Sequence, residues 1–214
     1  GEKMSKLFMK GNEAIAEAAV RAGCRFFAGY PITPQNEIPE YMSKRLPEVG
    51  GAFVQGESEI ASVNMVIGAA FGGTRAMTSS SGPGLDLKSE GLSTLAAEGF
   101  PAVIVNVMRD GPGTGSISGA QMDYLQATRG GGHGGIRLLI FAPSTVQEAV
   151  DLVYESFDKS WEYMNPCLVL ADGFIGSIME PVQLPPMKEW ERKEFPIYTT
   201  RFFTNNPSRR MCAT

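Results

Sequence analysis

Six short apolar runs, each separated from the next by a helical or glycine-rich stretch, constrain this chain more than any other feature. The runs are Cys24–Tyr30, Ala52–Gln55, Arg75–Ser79, Ala102–Met108, Arg137–Phe141 and Pro166–Ala171. Ala102–Met108 is the clearest, being rich in β-branched residues and without charge. Between the runs lie helical patterns over 11–23, 36–46, 60–72, 84–98 and 145–163, with a shorter one over 121–128. Asn12 is a candidate cap of the first helix and Gly23 its stop signal. Strand alternating with helix over short connections predicts an α/β fold: a doubly wound parallel sheet with helices on both faces. In such sheets ligands bind beyond the carboxyl ends of the strands. The loops that matter therefore follow Tyr30, Gln55, Ser79, Met108 and Phe141. After Asp172-Gly173 the pattern fades, and residues 180–214 carry proline, charge and aromatics without a period. The expected division is one domain over 1–176 and an extension or linker arm over 177–214, lying on a partner.

Composition narrows the function classes. The 214 residues are 43% hydrophobic and 20% charged, which suits a globular domain with a sizeable core. A net charge of −4 gives no basic face for nucleic acid. No apolar run approaches the roughly 20 residues of a membrane span, and the N-terminus has no secretory apolar region. The cysteines Cys24, Cys167 and Cys212 are odd in number and far apart, with no Cys-x-x-Cys pair. Neither a zinc site nor an iron–sulfur cluster is expected, and the pattern fits a reducing cytoplasm.

Several chemistries can be set aside. A Ser-His-Asp hydrolase would need His133, which sits among glycines that hold an imidazole poorly. A loop role suits His133 better than catalysis. There is no Gly-x-Ser-x-Gly elbow, no P-loop and no dinucleotide fingerprint. Ser79-Ser80-Ser81-Gly82-Pro83-Gly84 reads as a helix-capping turn, with a backbone nest for an anion as the alternative.

Three residues remain. Thr33 lies in the stiff loop Pro31-Ile32-Thr33-Pro34 at the end of one strand. Glu59 follows the candidate N-cap Ser58 and opens a helix that is apolar nearly all round, read as buried. Glu59 either complements the helix dipole or is a partly desolvated acid available for proton chemistry. Arg109 follows Ala102–Met108 directly. On one edge of a parallel sheet, a hydroxyl, a half-buried acid and a guanidinium suit a small anionic substrate and proton transfer.

At these positions the chain resembles the 2-oxoacid:ferredoxin oxidoreductases. Tyr30-Pro31-Ile32-Thr33-Pro34 is similar to a loop near their start. Ser58-Glu59-Ile60-Ala61-Ser62, with Gly68 nine residues after Glu59, is similar to their cofactor-activating helix. Thr78-Ser79-Ser80-Ser81-Gly82-Pro83-Gly84 and Ser89-Glu90-Gly91 are similar to the turn and helix that follow. The likeness runs over about residues 8–176, and the phrasing is nearest the α subunits of the 2-ketoisovalerate and 2-oxoglutarate enzymes.

The resemblance implies thiamine diphosphate as cofactor, with this chain as the pyrimidine-binding domain. Glu59 would hydrogen-bond the aminopyrimidine ring nitrogen. A buried acid sharing a proton there favours the imino tautomer, which can take the proton from the thiazolium carbon. Pro31 would line the cofactor, and Thr33 and Arg109 would contact the substrate. Members bind Mg²⁺ and diphosphate through a Gly-Asp-Gly motif that this sequence lacks. A β subunit is expected to carry that half and share the cofactor. Further γ and ferredoxin-like δ subunits would carry the 4Fe-4S clusters. The complex would decarboxylate a 2-oxoacid, with the branched-chain 2-ketoisovalerate favoured, to an acyl-CoA and reduce ferredoxin. The family's later α-subunit domains have no counterpart after about residue 180, so a fragment or a split family member is expected. Two other readings compete: a subunit of a decarboxylase- or transketolase-type thiamine enzyme, and a non-enzymatic doubly wound ligand-binding domain.

Overall fold

The structure is a computed structural model describing residues 6–191. Residues 1–5 and the expected arm beyond Glu191, Cys212 included, lie outside the described residues. In chain order the elements are β1 (Leu7–Lys10), α1 (Gly11–Arg21), β2 (Phe26–Gly29), α2 (Glu37–Glu48), β3 (Ala52–Gln55), α3 (Glu59–Phe71), β4 (Ala76–Ser80), α4 (Pro83–Glu98), β5 (Val103–Met108), a π-helical turn (Gln126–Gly130), β6 (Leu139–Phe141), α5 (Val146–Tyr163), β7 (Cys167–Asp172), α6 (Gly173–Ser177) and β8 (Met179–Val182).

Six strands form one parallel sheet in the order β3-β2-β4-β5-β7-β6. The pleat sorts its side chains by parity. Along β5, Val103, Val105 and Val107 join one core with α1, α2 and α5. Ile104 and Met108 of the same strand join a second core with α3 and α4. Each fully buried aliphatic side chain contributes roughly 1.5–3 kcal/mol of transfer free energy, so burial on both faces stabilises the sheet. The expected architecture is the one observed.

The order of strands reverses between β2 and β4. The chain leaves β2 toward α2 on one face and leaves β4 toward α4 on the other. The β2–β4 ladder covers only Phe26–Phe27 with Ala76–Met77 and stops before either strand ends. The carboxyl ends of β2 and β4 therefore part at the position where open α/β sheets bind ligands.

Several local expectations change. Asn12 does not cap α1: Lys10 is the N-cap, and Asn12 is buried with its amide donating to Pro34 O (2.8 Å) and Glu37 Oε2 (2.8 Å). It ties α1 to the loop after β2, because a buried amide must find acceptors wherever packing supplies them. The short helix expected over 121–128 is instead the π-helical turn at Gln126–Gly130. α3 is not enclosed all round, since Ile60, Met65 and Phe71 are exposed. β1 and β8, too short to carry a period, pair antiparallel apart from the main sheet, Leu7 opposite Val182 and Lys10 opposite Met179. The described stretch after β8 lies on this chain's own helices. Arg21 donates to Pro185 O, Tyr154 to Pro186 O, and the Lys188 backbone N–H to Arg21 O.

Candidate functional site at the strand reversal

The candidate site is built by two loops and one turn. Gln35, fully buried, fills the gap where the β2–β4 ladder ends. Its amide nitrogen donates to Tyr30 O (3.2 Å), and its amide oxygen accepts from the Ser79 hydroxyl. Beyond it the chain turns through Ser81-Gly82-Pro83 into α4. Gly82 has φ +47°, a value that side-chain-bearing residues resist. A Cβ there would also stand 3.0 Å from Arg109 Nε. Arg109, at the end of β5, donates from Nη1 to Thr33 O (2.9 Å) and from Nη2 to Thr114 O (2.7 Å). It thus fastens the loop after β2 to the loop after β5. Its Nε–H is buried with no protein partner.

Glu59 enters from the second core. Ser58 caps α3, its hydroxyl oxygen accepting from Ala61 N (3.1 Å), so Glu59 is the first helical residue, as expected. Glu59 is 7% exposed, and among the described residues no hydrogen bond or ion pair engages its carboxylate. The carboxylate lies over Gly84 in the first turn of α4. A Cβ on Gly84 would stand 2.8 Å from Glu59 Oε1 and closer still to Ser80 Oγ. The Ser80 hydroxyl beside it is buried without a partner, as is that of Ser81, the next residue. Buried polar atoms are nearly always satisfied, so a group of unsatisfied ones marks a place prepared for a polar ligand.

Lys88, one turn further along α4, is fully buried. Its Nζ donates to Thr78 Oγ1 (3.0 Å) and to the backbone O of Glu59 (3.3 Å). Burial pushes its ammonium down to about 8, partly opposed by the charge of Glu59. Asn106 on β5 donates to Asp123 Oδ2 (2.8 Å), leaving its own Oδ1 buried and unpartnered.

The structure brings Arg109 and Thr33 into contact and links them to Glu59 through one turn: Gly82 packs on the arginine and Gly84 on the acid. The Thr33 side chain and Pro31 are exposed in the same loop. His133 is exposed, its backbone N–H donating to Ser93 Oγ (2.7 Å). A cavity of about 130 Å³ beside the π-helical turn is lined by Arg129, Arg137 and loop glycines rather than by any of these residues. Among the described residues no group of three or more His, Cys, Asp or Glu side chains could hold a metal ion. Sequence reasoning passed over Lys88, Gln35 and the Ser80–Ser81 hydroxyls. For Lys88 a signal existed: Leu85, Lys88, Leu92 and Leu95 share helical spacing and are all buried.

The sequence matches the family described as pyruvate flavodoxin/ferredoxin oxidoreductase, thiamine diphosphate-binding, over residues 17–208. It is 51% identical over 182 residues to ketoisovalerate oxidoreductase subunit VorB of Methanothermobacter thermautotrophicus, covering 85% of this chain and 52% of that one. It is 45% identical over 192 residues to 2-oxoglutarate synthase subunit KorA of Archaeoglobus fulgidus, covering 89% and 55%. The chain spans about half the length of these curated relatives. A solved 2-oxoglutarate:ferredoxin oxidoreductase from Magnetococcus marinus, with 2-oxoglutarate, coenzyme A and succinyl-CoA bound, superposes with TM-score 0.82 at 33% identity, covering 89% of this chain and 35% of that one.

Proposed function

The chain belongs to the thiamine diphosphate-binding family of pyruvate flavodoxin/ferredoxin oxidoreductases, and on that premise we propose that it is the pyrimidine-holding, α-type part of a 2-oxoacid:ferredoxin oxidoreductase. The observation that carries this reading is Glu59: buried, unengaged, and facing a glycine cradle rimmed by unpartnered hydroxyls. These residues fit an aminopyrimidine. The carboxylate suits a ring nitrogen that carries or accepts a proton, and the Ser80 hydroxyl suits its remaining polar edge. Without a Cβ at Gly84, a flat ring can approach the acid. Bound thiamine diphosphate supplies the electron sink for decarboxylating a 2-oxoacid.

In this reading Glu59 holds the proton shared with the ring. Pro31 lines the cofactor. The Arg109 guanidinium clamps the substrate carboxylate, and the Thr33 hydroxyl orients the substrate. The pyrimidine-binding unit comprises residues 1–176, with 177–214 as its extension. A β subunit brings the diphosphate and Mg²⁺ half, while γ and δ subunits bring 4Fe-4S clusters, so that electrons reach ferredoxin and the acyl group reaches coenzyme A. The exposed apolar residues Ile60, Met65 and Phe71 on α3 suit a partner covering that helix. The greater identity to the ketoisovalerate subunit, 51% against 45%, favours a branched-chain 2-oxoacid. No described helix is long and apolar enough to cross a membrane, which suits a complex working in the cytoplasm.

The test is co-expression with the partner subunits and comparison of wild type with Glu59→Gln. Losing a positioned acid–base group is expected to lower 2-oxoacid oxidation by about 100-fold or more. Near-full activity in the glutamine variant would overturn the assignment.

A further inference from the structure

Lys88 is not used by the reaction outlined above, yet it is fully enclosed between α3, α4 and β4. Burying an ammonium costs several kcal/mol unless it is paired, and a leucine or methionine in the Leu85-Leu92-Leu95 stripe would avoid that cost. Among the described residues no carboxylate forms an ion pair with it. Two of its three protons go to neutral acceptors that belong to the frame of the site. One is the carbonyl of Glu59 itself, at the first turn of α3. The other is the Thr78 hydroxyl, two residues before Ser80. Glu59 is the charged group that acts on it electrostatically.

We propose that Lys88 is a positioning residue for Glu59: its ammonium clasps the first turn of α3 to β4 and holds a positive charge at the Glu59 carbonyl, within electrostatic reach of the carboxylate, favouring transfer of the shared proton to the bound aminopyrimidine. The inference rests on the role proposed for Glu59. It has a built-in pH dependence. The groups facing Lys88 are Glu59 from α3 and the neutral Thr78 from β4, while Asp86 and Glu90 on its own helix are exposed. As the pH rises through about 8 the ammonium loses its proton, and with it the charge beside Glu59.

The experiment uses the assembled complex loaded with thiamine diphosphate and no substrate. It follows exchange of the thiazolium C2 proton for deuterium in acid-quenched samples, with cofactor affinity measured separately by calorimetry. The wild-type exchange rate is expected to fall as the pH rises through about 8. Lys88→Met should slow exchange at neutral pH by about tenfold, the equivalent of one pK unit, and show no such fall, with cofactor affinity unchanged. Lys88→Arg, charged throughout, should keep the neutral-pH rate and lose the fall. Wild-type exchange that is level through this range overturns the inference even if Lys88→Met fails to assemble, and so does Lys88→Met exchanging at the wild-type rate. Glu59→Gln in parallel separates the two ideas. If it exchanges slowly while Lys88→Met is normal, only the role of Lys88 falls; if it exchanges normally, the role of Glu59 falls.

Discussion

Gly84 contributes as much to the candidate site as Glu59 does, because the acid occupies the volume a side chain would need. Alanine there would place its Cβ 2.8 Å from Glu59 Oε1 and displace either the acid or the Ser80 hydroxyl. Gly84→Ala is therefore expected to weaken thiamine diphosphate binding in the complex by about tenfold while leaving the circular dichroism of the fold intact, a misplacement effect. Calorimetric titration checks it; unchanged affinity would mean that the cradle is not used. Arg109→Ala should raise KM for the 2-oxoacid more than it weakens the cofactor. An equal loss of both would point to the arginine's other task, fastening Thr33 and Thr114. That Glu59, Thr33 and Arg109 gather at one edge of the sheet was legible in the sequence, because each stands just beyond a strand. Lys88 was not. Whether a lysine in a leucine stripe points inward depends on what the facing helix offers, here a carbonyl and a hydroxyl. Asn12 was misread for the same reason, its acceptors lying 22 and 25 residues away.

At the scale of elements, the approach of α3 to α4 sets where Glu59 can stand. The two helices meet at Gly91, where a Cβ would lie 2.5 Å from both Val63 methyl carbons. Gly91→Ala must push the helices apart or force Val63 off its rotamer. It should cost about 1–3 kcal/mol, the range for overpacked cores, less the roughly 1 kcal/mol gained from helix propensity. Thermal unfolding of the chain checks the direction, and a rise in Tm would refute the close contact. The strand–helix alternation that builds the six-stranded sheet was readable, since hydrophobic period and turn residues are local. The exposure of α3 was not. Surface left apolar and surface enclosed by the chain's own core read alike in sequence, so Ile60, Met65 and Phe71 look the same as Val63 and Val66.

Over the whole molecule, the stretch after β8 is held against the first core by a cluster of charges and rings. Arg75, almost fully buried, donates to Ala22 O and to Asp158, and its guanidinium lies 3.9 Å from the Trp190 ring. Lys188 donates to the other Asp158 oxygen and stands over Tyr154. Partial burial pushes the Asp158 carboxyl up, but the hydrogen bonds from Lys188 and Arg75 outweigh this and hold it below its ordinary 3.8. A depressed carboxyl stabilises the fold above its ordinary value and loses that effect as the pH falls through its folded-state value. Asp158 is nearly half exposed, so the effect is small, about 1 kcal/mol or less. Acidification below 3.8 should lower Tm more in wild type than in Asp158→Asn; parallel decreases would show that the pairing contributes nothing. The β1–β8 ribbon has a consequence in time. Synthesis runs from the N-terminal side, so residues 7–10 leave the ribosome before any strand of the parallel sheet, yet their partners at 179–182 emerge only after that whole sheet has been made. β1 thus finds its neighbour only after the parallel sheet has been made, and until then it waits as an unpaired edge.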